Sequence, residues 1–490
     1  MEQAFTEGQS MDYSGMKITV MGLGLNGGGL ASAAYLLKHG ADLTITDLRD
    51  EKTLAPSIEK LETPDCGAAR GRNRRIRYVL GRHETEDFKN ADMVVKNPGV
   101  RPDSPYLQAA RRVETDISLF LAASPARLSA VSGSKGKSST ASALHWVLRR
   151  AGEKGFLQGR AFLGGNITVS PLSFLDELKP GDDVVLELSS WQLGDLRGRG
   201  LKPRAAVLTP IMPDHLDRYR TMEAYVADKR IIYREQDEND VTIAGDDAWG
   251  QSFLDESGGR PLVYSERPLP GGVSGGWLGG GEEPAFARLY NSPFAGLGEG
   301  ETVELVPAGL LVPGRHQKKN LLAAGLALLD MGLPPAFIRE GLGAFPGIEH
   351  RLEFFREAGG IRFYNDSAAT IPEAAAAALE AFPAAPVVLV TGGADKNLDF
   401  SPLIRAAPLA GAIVLLAGTG SDKIRAGLDA EGIAYSGPFD SVDAALAAAA
   451  GAVLPGGAVL FSPGCTSFGM FLNEFDRGNK WKEAVRRLTQ

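Results

Sequence analysis

An α/β architecture built on parallel sheets is the fold class that three features of the sequence predict. Short apolar runs rich in Val, Ile and Leu recur along the 490 residues. Ala- and Leu-rich stretches with helical spacing alternate with them. Glycines cluster in the short loops that follow the runs. A strand covered by helices on both faces meets no water, so it reads as a near-continuous apolar run. Alternation of such strands with helices gives doubly wound sheets, whose ligands bind at the carboxyl ends of the strands.

The elements follow in order. KITVMG (17–22) reads as a first strand and 28–38 as the helix after it. DLTITD (42–47) and DMVVKN (92–97) continue that series. A second series begins at ARLSAVSG (126–133), with a helix over 138–151, and adds DVVLEL (183–188) and AAVLTP (205–210). Helical spacing returns at 222–235 and 318–331. A third series comprises APVVLVTGG (385–393), GAIVLLAG (411–418) and AVLFSPG (458–464), with helices over 372–381 and 441–450. The stretch from Gly271 to Gly300 shows neither period and reads as a surface loop or hairpin elaboration. At about 150 residues per domain the length suggests about three domains. Boundaries near 115 and 347 give 1–115, 116–347 and 348–490, the second following the Pro/Gly turn in FPGIEH.

Composition narrows the function classes. The chain has 52 Lys+Arg against 60 Asp+Glu, a net charge of −8, which argues against a general nucleic-acid or anionic-membrane binder. Two distant cysteines, Cys66 and Cys465, exclude a disulfide scaffold. No run approaches ~18 apolar residues, and the acidic N-terminus does not read as a signal peptide. The expected compartment is the cytoplasm.

Two glycine loops carry the chemistry. Gly22-Leu23-Gly24-Leu25-Asn26-Gly27 follows a strand and opens a helix, where bare backbone can approach a diphosphate. Asp47 ends the next strand. This arrangement suits an NAD-dependent dehydrogenase as well as other nucleotide binders, or a tight turn without a ligand. Gly133-Ser134-Lys135-Gly136-Lys137-Ser138-Ser139 is a shortened phosphate loop between a strand and a helix. Its N–H groups can cradle phosphates, Lys137 can reach the β- and γ-phosphates, and Ser138 can ligate Mg²⁺. Glu187, at a strand tip, is the expected acidic partner of such a Mg²⁺ ion. His215 in Asp214-His215-Leu216-Asp217-Arg218-Tyr219 is a candidate metal ligand, and Lys229 follows on a helix.

SGSKGKSS, LELSSWQL, PDHLDRY and Lys229 together resemble the Mur ligases, the ATP-dependent amide-forming enzymes of peptidoglycan precursor synthesis. GGNI (164–167), GRHQKKNLLAA (314–324), EHRLE (349–353), NDSAAT (365–370), GGADKNLDFSPL (392–403) and SPGCTSFGMFLNEFDRG (462–478) extend the resemblance over most of the chain. LELSSWQL, DKNLDFSPL and SPGCTSF are most similar to the glutamate-adding branch.

The resemblance implies three domains: a Rossmann-like N-terminal domain, a central P-loop ATPase domain and a Rossmann-like C-terminal domain. It reassigns the first glycine loop from NAD to a UDP-sugar. Leu25, Asn26, Asp47, Arg49, Asn97, Gly99 and Asn166 would then line the UDP-substrate site. Gly133 to Ser139, with Asn320, Arg351 and Asp366, would hold ATP. Lys137, Glu187, His215 and Lys229 would be catalytic. Ser138, Glu187, His215 and Lys229, the last as a CO₂-derived carbamate, would organise two Mg²⁺ ions. Thr370, Lys396 and Ser467 would receive the amino acid.

The implied reaction joins D-glutamate to UDP-N-acetylmuramoyl-L-alanine through an acyl phosphate, in a monomer without nucleic-acid or membrane partners. Ala368 stands where many members of that branch have a lysine, Gln317 replaces a usual asparagine, and the order of Glu474 and Phe475 is exchanged. L-glutamate or another amino acid is therefore the alternative substrate. A nucleotide-binding regulator without ligase activity is the alternative from another class.

Overall fold

The computed structural model describes residues 12–25, 27–63, 76–167, 169–281, 283–290, 297–382 and 386–488. Three sheets organise it. The first has the strand order Ile76–Leu80, Asp42–Asp47, Lys17–Met21, Met93–Lys96, Val113–Glu114, all parallel. The order reverses between Lys17–Met21 and Met93–Lys96, the switch point at which such sheets leave a crevice. Met21 is in register with both Thr46 and Lys96. Gly22, Asp47 and Asn97 therefore emerge side by side at the carboxyl edge.

The second sheet has nine strands. In it Arg127–Ser132 is flanked by Asp183–Glu187 and Ala205–Leu208, both parallel to it. Ala161–Gly165 lies beyond Asp183–Glu187. Val131 pairs with Glu187, and Glu187 with Gly165, so the phosphate loop, Glu187 and Asn166 share one edge. On the other side Val241–Gly245, Arg260–Ser265, Gly275–Leu278, Ala285–Arg288 and Thr302–Val306 extend the sheet. Gly275–Leu278 and Ala285–Arg288 form an antiparallel pair, so the glycine-rich stretch is a hairpin added to the sheet. Its residues 282 and 291–296 lie outside the described ones.

The third sheet runs Glu353–Ala358, Ile361–Asn365, Ala458–Phe461, Val387–Thr391, Ala412–Leu416, Ser436–Phe439. Among the described residues its first pair is antiparallel and the others are parallel.

Contacts divide the chain into two compact units. One comprises Met1–Gly281, Ala285–Leu305 and Asn320–Arg339, the other Glu282–Pro284, Val306–Lys319 and Glu340–Gln490. The first unit contains the first two sheets, and position 115 falls between them. Its main core joins Ile18, Val20 and Ile45 of the first sheet to Ala130, Val184 and Leu186 of the second, all nearly inaccessible. The second unit buries Leu389, Leu415 and Leu460 on one face of the third sheet, and Val390, Val414, Phe461 and Trp481 on the other.

Helices follow the expected spacing closely at Gly28–Lys38, Lys137–Glu153, Arg315–Asp330, Pro372–Glu380 and Val442–Ala452. The helix expected over 222–235 ends at Lys229 and tightens into a 3-10 turn over Arg230–Ile232. There the β-branched pair Ile231 and Ile232 turns into the core. No helix among the described residues is long and apolar enough to cross a membrane.

Candidate active site

The carboxyl edges of the first two sheets carry two cavities in the first unit. One, of about 680 Å³, lies against the first glycine loop and is lined by Leu25, Asp47, Arg49, His83, Asn97 and Tyr106, among others. Asn26 lies outside the described residues. Leu25 and Leu48 expose 48% and 70% of their surface, which leaves apolar faces at the mouth for a flat ligand.

Asp47 is buried, and both carboxylate oxygens accept backbone N–H groups, from Gly24 at 3.0 Å and Arg49 at 2.9 Å. It shapes the loop as well as facing the cavity. Asn97 accepts from the Gly99 N–H at 3.0 Å. A Cβ on Gly22 would stand 3.0 Å from that of Asn97, so glycine permits this close approach.

The sequence gives no local signal for His83 or Tyr106. Thr46 holds the His83 ring through Nδ1 at 2.7 Å, and the ring packs edge-on against Phe88 and Tyr106. Burial lowers the His83 pKa.

The second cavity, of about 540 Å³, is lined by Lys137, Asn166, Trp191, His215, Tyr225 and Lys229, with Asp116 and Ser170 at one side. Gly28, Asn97 and Gly99 line both cavities, which therefore adjoin.

The phosphate loop forms as its residue types demand. Gly136 is left-handed, with φ 89°, and caps the helix Lys137–Glu153, so the positive end of that helix faces the cavity. Ser134 is tied to the Met212 carbonyl and the Tyr225 hydroxyl. The Lys137 ammonium donates to the Ser134 carbonyl at 3.0 Å. Lys135 is exposed, whereas Ser138 and Ser139 are half-buried at the start of the helix.

Glu187 is 1% exposed. Oε1 accepts from Asn166 Nδ2 at 3.0 Å, while Oε2 is buried with no hydrogen-bond partner. A buried carboxylate oxygen left in that state is costly unless a cation completes it. Glu187 thus fits a hard divalent cation that takes its remaining ligands from phosphate and water, and the hydroxyl of Ser138, half-buried at the start of the helix, is of a type that suits such an ion. No group of three or more His, Cys, Asp or Glu side chains suited to a metal occurs among the described residues.

His215 is exposed, adopts φ 53°, and lays its ring 5.0 Å from that of Trp191. Lys229 is 1% exposed and donates to the Gly133 carbonyl at 2.7 Å. Burial first, and the Lys137 charge second, lower its pKa to about 7. Asn320 is buried against the loop, its Oδ1 2.3 Å from where a Cβ on Gly136 would stand.

The second unit brings three loops together at the carboxyl ends of parallel strands. Asn365 and Val390 are both in register with Phe461. Asp366 and Thr370 leave the first strand, Lys396 the second and Ser467 the third. Ala394 and Thr466 exchange backbone hydrogen bonds at 3.2 and 3.1 Å, joining the last two loops. Lys396 is exposed and Ser467 buried.

Asp366 accepts from Ser462 at 2.6 Å and from the Leu352 N–H at 2.9 Å, and burial raises its pKa to about 7. Arg351 is exposed, and its charge opposes that rise. Arg477, which sequence reasoning did not single out, is buried among these loops. It donates to the Ser367 hydroxyl and carbonyl and to the Cys465 carbonyl at 2.8–3.0 Å. The negative charge of Glu474 acts on this guanidinium. Ala368 donates its N–H to the His350 carbonyl at 2.9 Å. Burial pushes the Cys465 thiol up to about 12, so it is no nucleophile at neutral pH. Cys66 lies outside the described residues.

Comparison with known proteins agrees along the chain. Residues 16–118 match the Mur ligase MurD-like N-terminal domain, 131–267 the Mur ligase middle domain and 350–465 the Mur ligase glutamate ligase domain. A protein of Treponema pallidum named UDP-N-acetylmuramoylalanine–D-glutamate ligase is 41% identical, covering 96% of this chain and 98% of that one. Proteins of the same name from Roseiflexus sp. and Borreliella afzelii are 38% and 39% identical, covering 98% and 97% of this chain and 100% and 99% of their own. Among solved structures, the UDP-N-acetylmuramate-alanine ligase MurC of Thermotoga maritima matches with a TM-score of 0.56 at 20% identity, over 96% of this chain and 99% of its own. MurF of Acinetobacter baumannii matches at 0.53 and 15%, over 96% and 93%. These two likenesses bear on the fold.

Proposed function

The chain belongs to the Mur ligase family, and from that premise we propose that it joins D-glutamate to UDP-N-acetylmuramoyl-L-alanine at the expense of ATP, in peptidoglycan precursor synthesis. The observation that carries this reading is the junction of the two cavities at Gly28, Asn97 and Gly99. A UDP-sugar seated on the first glycine loop can extend its acyl end towards Lys137, Asn166 and Glu187. The relatives' names favour D-glutamate over L-glutamate or another amino acid.

In the first step the alanyl carboxylate attacks the γ-phosphorus of ATP, giving an acyl phosphate and ADP. Two anions must meet, so fixed positive charge is the main requirement. Lys137 and the N-terminus of its helix supply it. Ser138 and Glu187 would hold one Mg²⁺, and His215 with a carboxylated Lys229 a second; such ions, when bound, neutralise the transferring phosphoryl group. Lys229 suits carboxylation because only a neutral amine adds to CO₂, forming the carbamate and releasing a proton. Asn320, Arg351 and Asp366 are assigned to ATP.

In the second step the glutamate amine attacks the acyl carbon, loses a proton and expels phosphate. Thr370, Lys396 and Ser467 orient the amino acid. We read the protein as cytoplasmic and monomeric, the latter to be checked by light scattering.

The test is phosphate release from Mg·ATP with UDP-N-acetylmuramoyl-L-alanine and, in parallel, D-glutamate, L-glutamate, other amino acids or none. Release with D-glutamate alone is expected. Release with a different amino acid only would reassign the specificity, and release in no reaction would favour the nucleotide-binding regulator.

A further inference from the structure

The turn that carries Arg351 is strained. His350 and Leu352, on either side of it, both lie in the left-handed region, with φ 64° and 47°. Side chains with a Cβ adopt that region only where their surroundings impose it. A backbone bridge between Ile348 and Arg351 closes the turn, and the side chains of Asp366, Glu353 and Asn365 hold it. Asp366 accepts the Leu352 N–H at 2.9 Å. Glu353 accepts the His350 N–H at 3.0 Å through Oε2, which also accepts from Asn365 Nδ2 at 2.9 Å. That same Asn365 amide lies 2.9 Å from His350 Nδ1.

One cation addresses this assembly from another element. Lys482, on the helix Glu474–Arg487, is 5% exposed. Its ammonium lies 2.5 Å from Glu349 Oε1 and 3.2 Å from Glu353 Oε1, so it spans the two ends of the turn. Four residues earlier Gly478 leaves space for the His350 ring: a Cβ there would stand 2.2 Å from Nδ1. The helix thus holds the turn by charge at one position and by fit at the next turn along.

We propose that Lys482 is a positioning residue for nucleotide binding, clamping Glu349 and Glu353 so that the turn presents Arg351 in one conformation. The proposal rests on the assignment of Arg351 to ATP. Loss of the clamp frees Glu353 from its buried counter-charge and lets the turn relax out of the left-handed region. Nucleotide binding should weaken, while sites built on other loops keep their shape.

The experiment compares Lys482→Met, Lys482→Arg, Arg351→Ala and the double variant Lys482→Met/Arg351→Ala in the full-length protein. Phosphate release gives kcat and the KM of each substrate, and thermal melting reports on folding. Lys482→Met should raise the KM for ATP roughly ten- to hundredfold, with the KM values for UDP-N-acetylmuramoyl-L-alanine and glutamate unchanged. Lys482→Arg should restore most of the loss, and the double variant should be no worse than Arg351→Ala alone.

A normal KM for ATP in Lys482→Met, a uniform rise in all three KM values, or additive losses in the double variant would overturn the positioning role. A normal KM for ATP in Arg351→Ala would overturn the assignment of Arg351 to ATP, and the positioning role with it. Should Lys482→Met fail to fold, the double variant Glu349→Gln/Glu353→Gln removes both ion pairs from the other side. It must then show the same selective rise for the proposal to stand.

Discussion

Two lysines beside the phosphate loop have opposite tasks, set by their surroundings. In the proposed reaction Lys137 must stay charged, since it would face the phosphates. Lys137→Ala should abolish phosphate release, with a loss of about a thousandfold or more expected for a removed electrostatic contact to a transferring phosphoryl group. Activity near wild type would remove the phosphate-loop assignment. Lys229 is lowered from an ordinary 10.5 to about 7 by burial and by the Lys137 charge. The resting fold therefore bears a penalty for its protonated form.

The unfolded chain holds that proton up to about pH 10, whereas the folded chain releases it near pH 7. The penalty is thus fully present below pH 7 and shrinks as pH rises from 7 towards 10.5. Lys229→Met should abolish turnover yet stabilise the nucleotide-free protein by about 1–4 kcal/mol at pH 7. Urea unfolding at pH 6.5 and pH 9 checks this: the advantage of the variant must be smaller at pH 9, and an advantage that grows with pH would contradict the burial argument. Short carboxylic acids that partly restore activity to Lys229→Ala would support the carbamate.

At the scale of the element, the phosphate loop works because its glycines accept conformations that other residues resist. Gly136 combines φ 89° with a closed space against Asn320. Gly136→Ala should destabilise the protein by about 1–3 kcal/mol and weaken ATP binding roughly tenfold or more, as read by melting and by titration with a nucleotide. Such loops were legible in the sequence because glycine, lysine and serine at fixed spacing have a mechanical reason to be there.

The strands on either side were legible for a similar reason. Asp183–Glu187, Ala205–Leu208 and Ala458–Phe461 are buried at every position, and apart from the terminal Asp183 and Glu187 they are wholly apolar. Strands at or near the edges were not. Ile76–Leu80 carries Arg77 in an exposed position, Ala161–Gly165 ends in two glycines, and Glu353–Ala358 is half-exposed with three charged residues. Tertiary pairing makes these segments strands, and a single sequence carries no record of it. The site divides likewise. Lys137 and Glu187 sit in local motifs and Lys229, by composition an ordinary helix lysine, stands out only through the family resemblance, while His83, Tyr106 and Arg477 reach their places only through contacts between distant segments.

For the whole molecule, the residues proposed for phosphoryl transfer and those proposed for the amino acid fall largely in different compact units, although Arg351 and Asp366, assigned to ATP, share the second unit with the amino-acid residues. The phosphate loop, Glu187, Lys229 and both cavities belong to the first unit, and Thr370, Lys396 and Ser467 to the second. Acyl phosphate formation consumes ATP and the UDP-linked acid, and needs no amino acid. Capture of the acyl group needs the amine in place. Variants of the two groups should therefore fail at different points. Lys396→Ala should raise the KM for glutamate roughly tenfold, the size of one lost charged contact, and leave acyl phosphate formation intact.

Hydroxylamine offers a direct readout, because it intercepts an acyl phosphate as a stable hydroxamate. With ATP and UDP-N-acetylmuramoyl-L-alanine but no glutamate, Lys396→Ala should yield hydroxamate as wild type does, and Lys137→Ala should yield none. Equal loss of hydroxamate in both variants would mean that the amino-acid loop also serves phosphoryl transfer, and the separate task proposed for Lys396 would fall. A retained hydroxamate with impaired ligation would instead locate glutamate recognition at the carboxyl edge of the third sheet, where Lys396 lies beside the loop of Ser467.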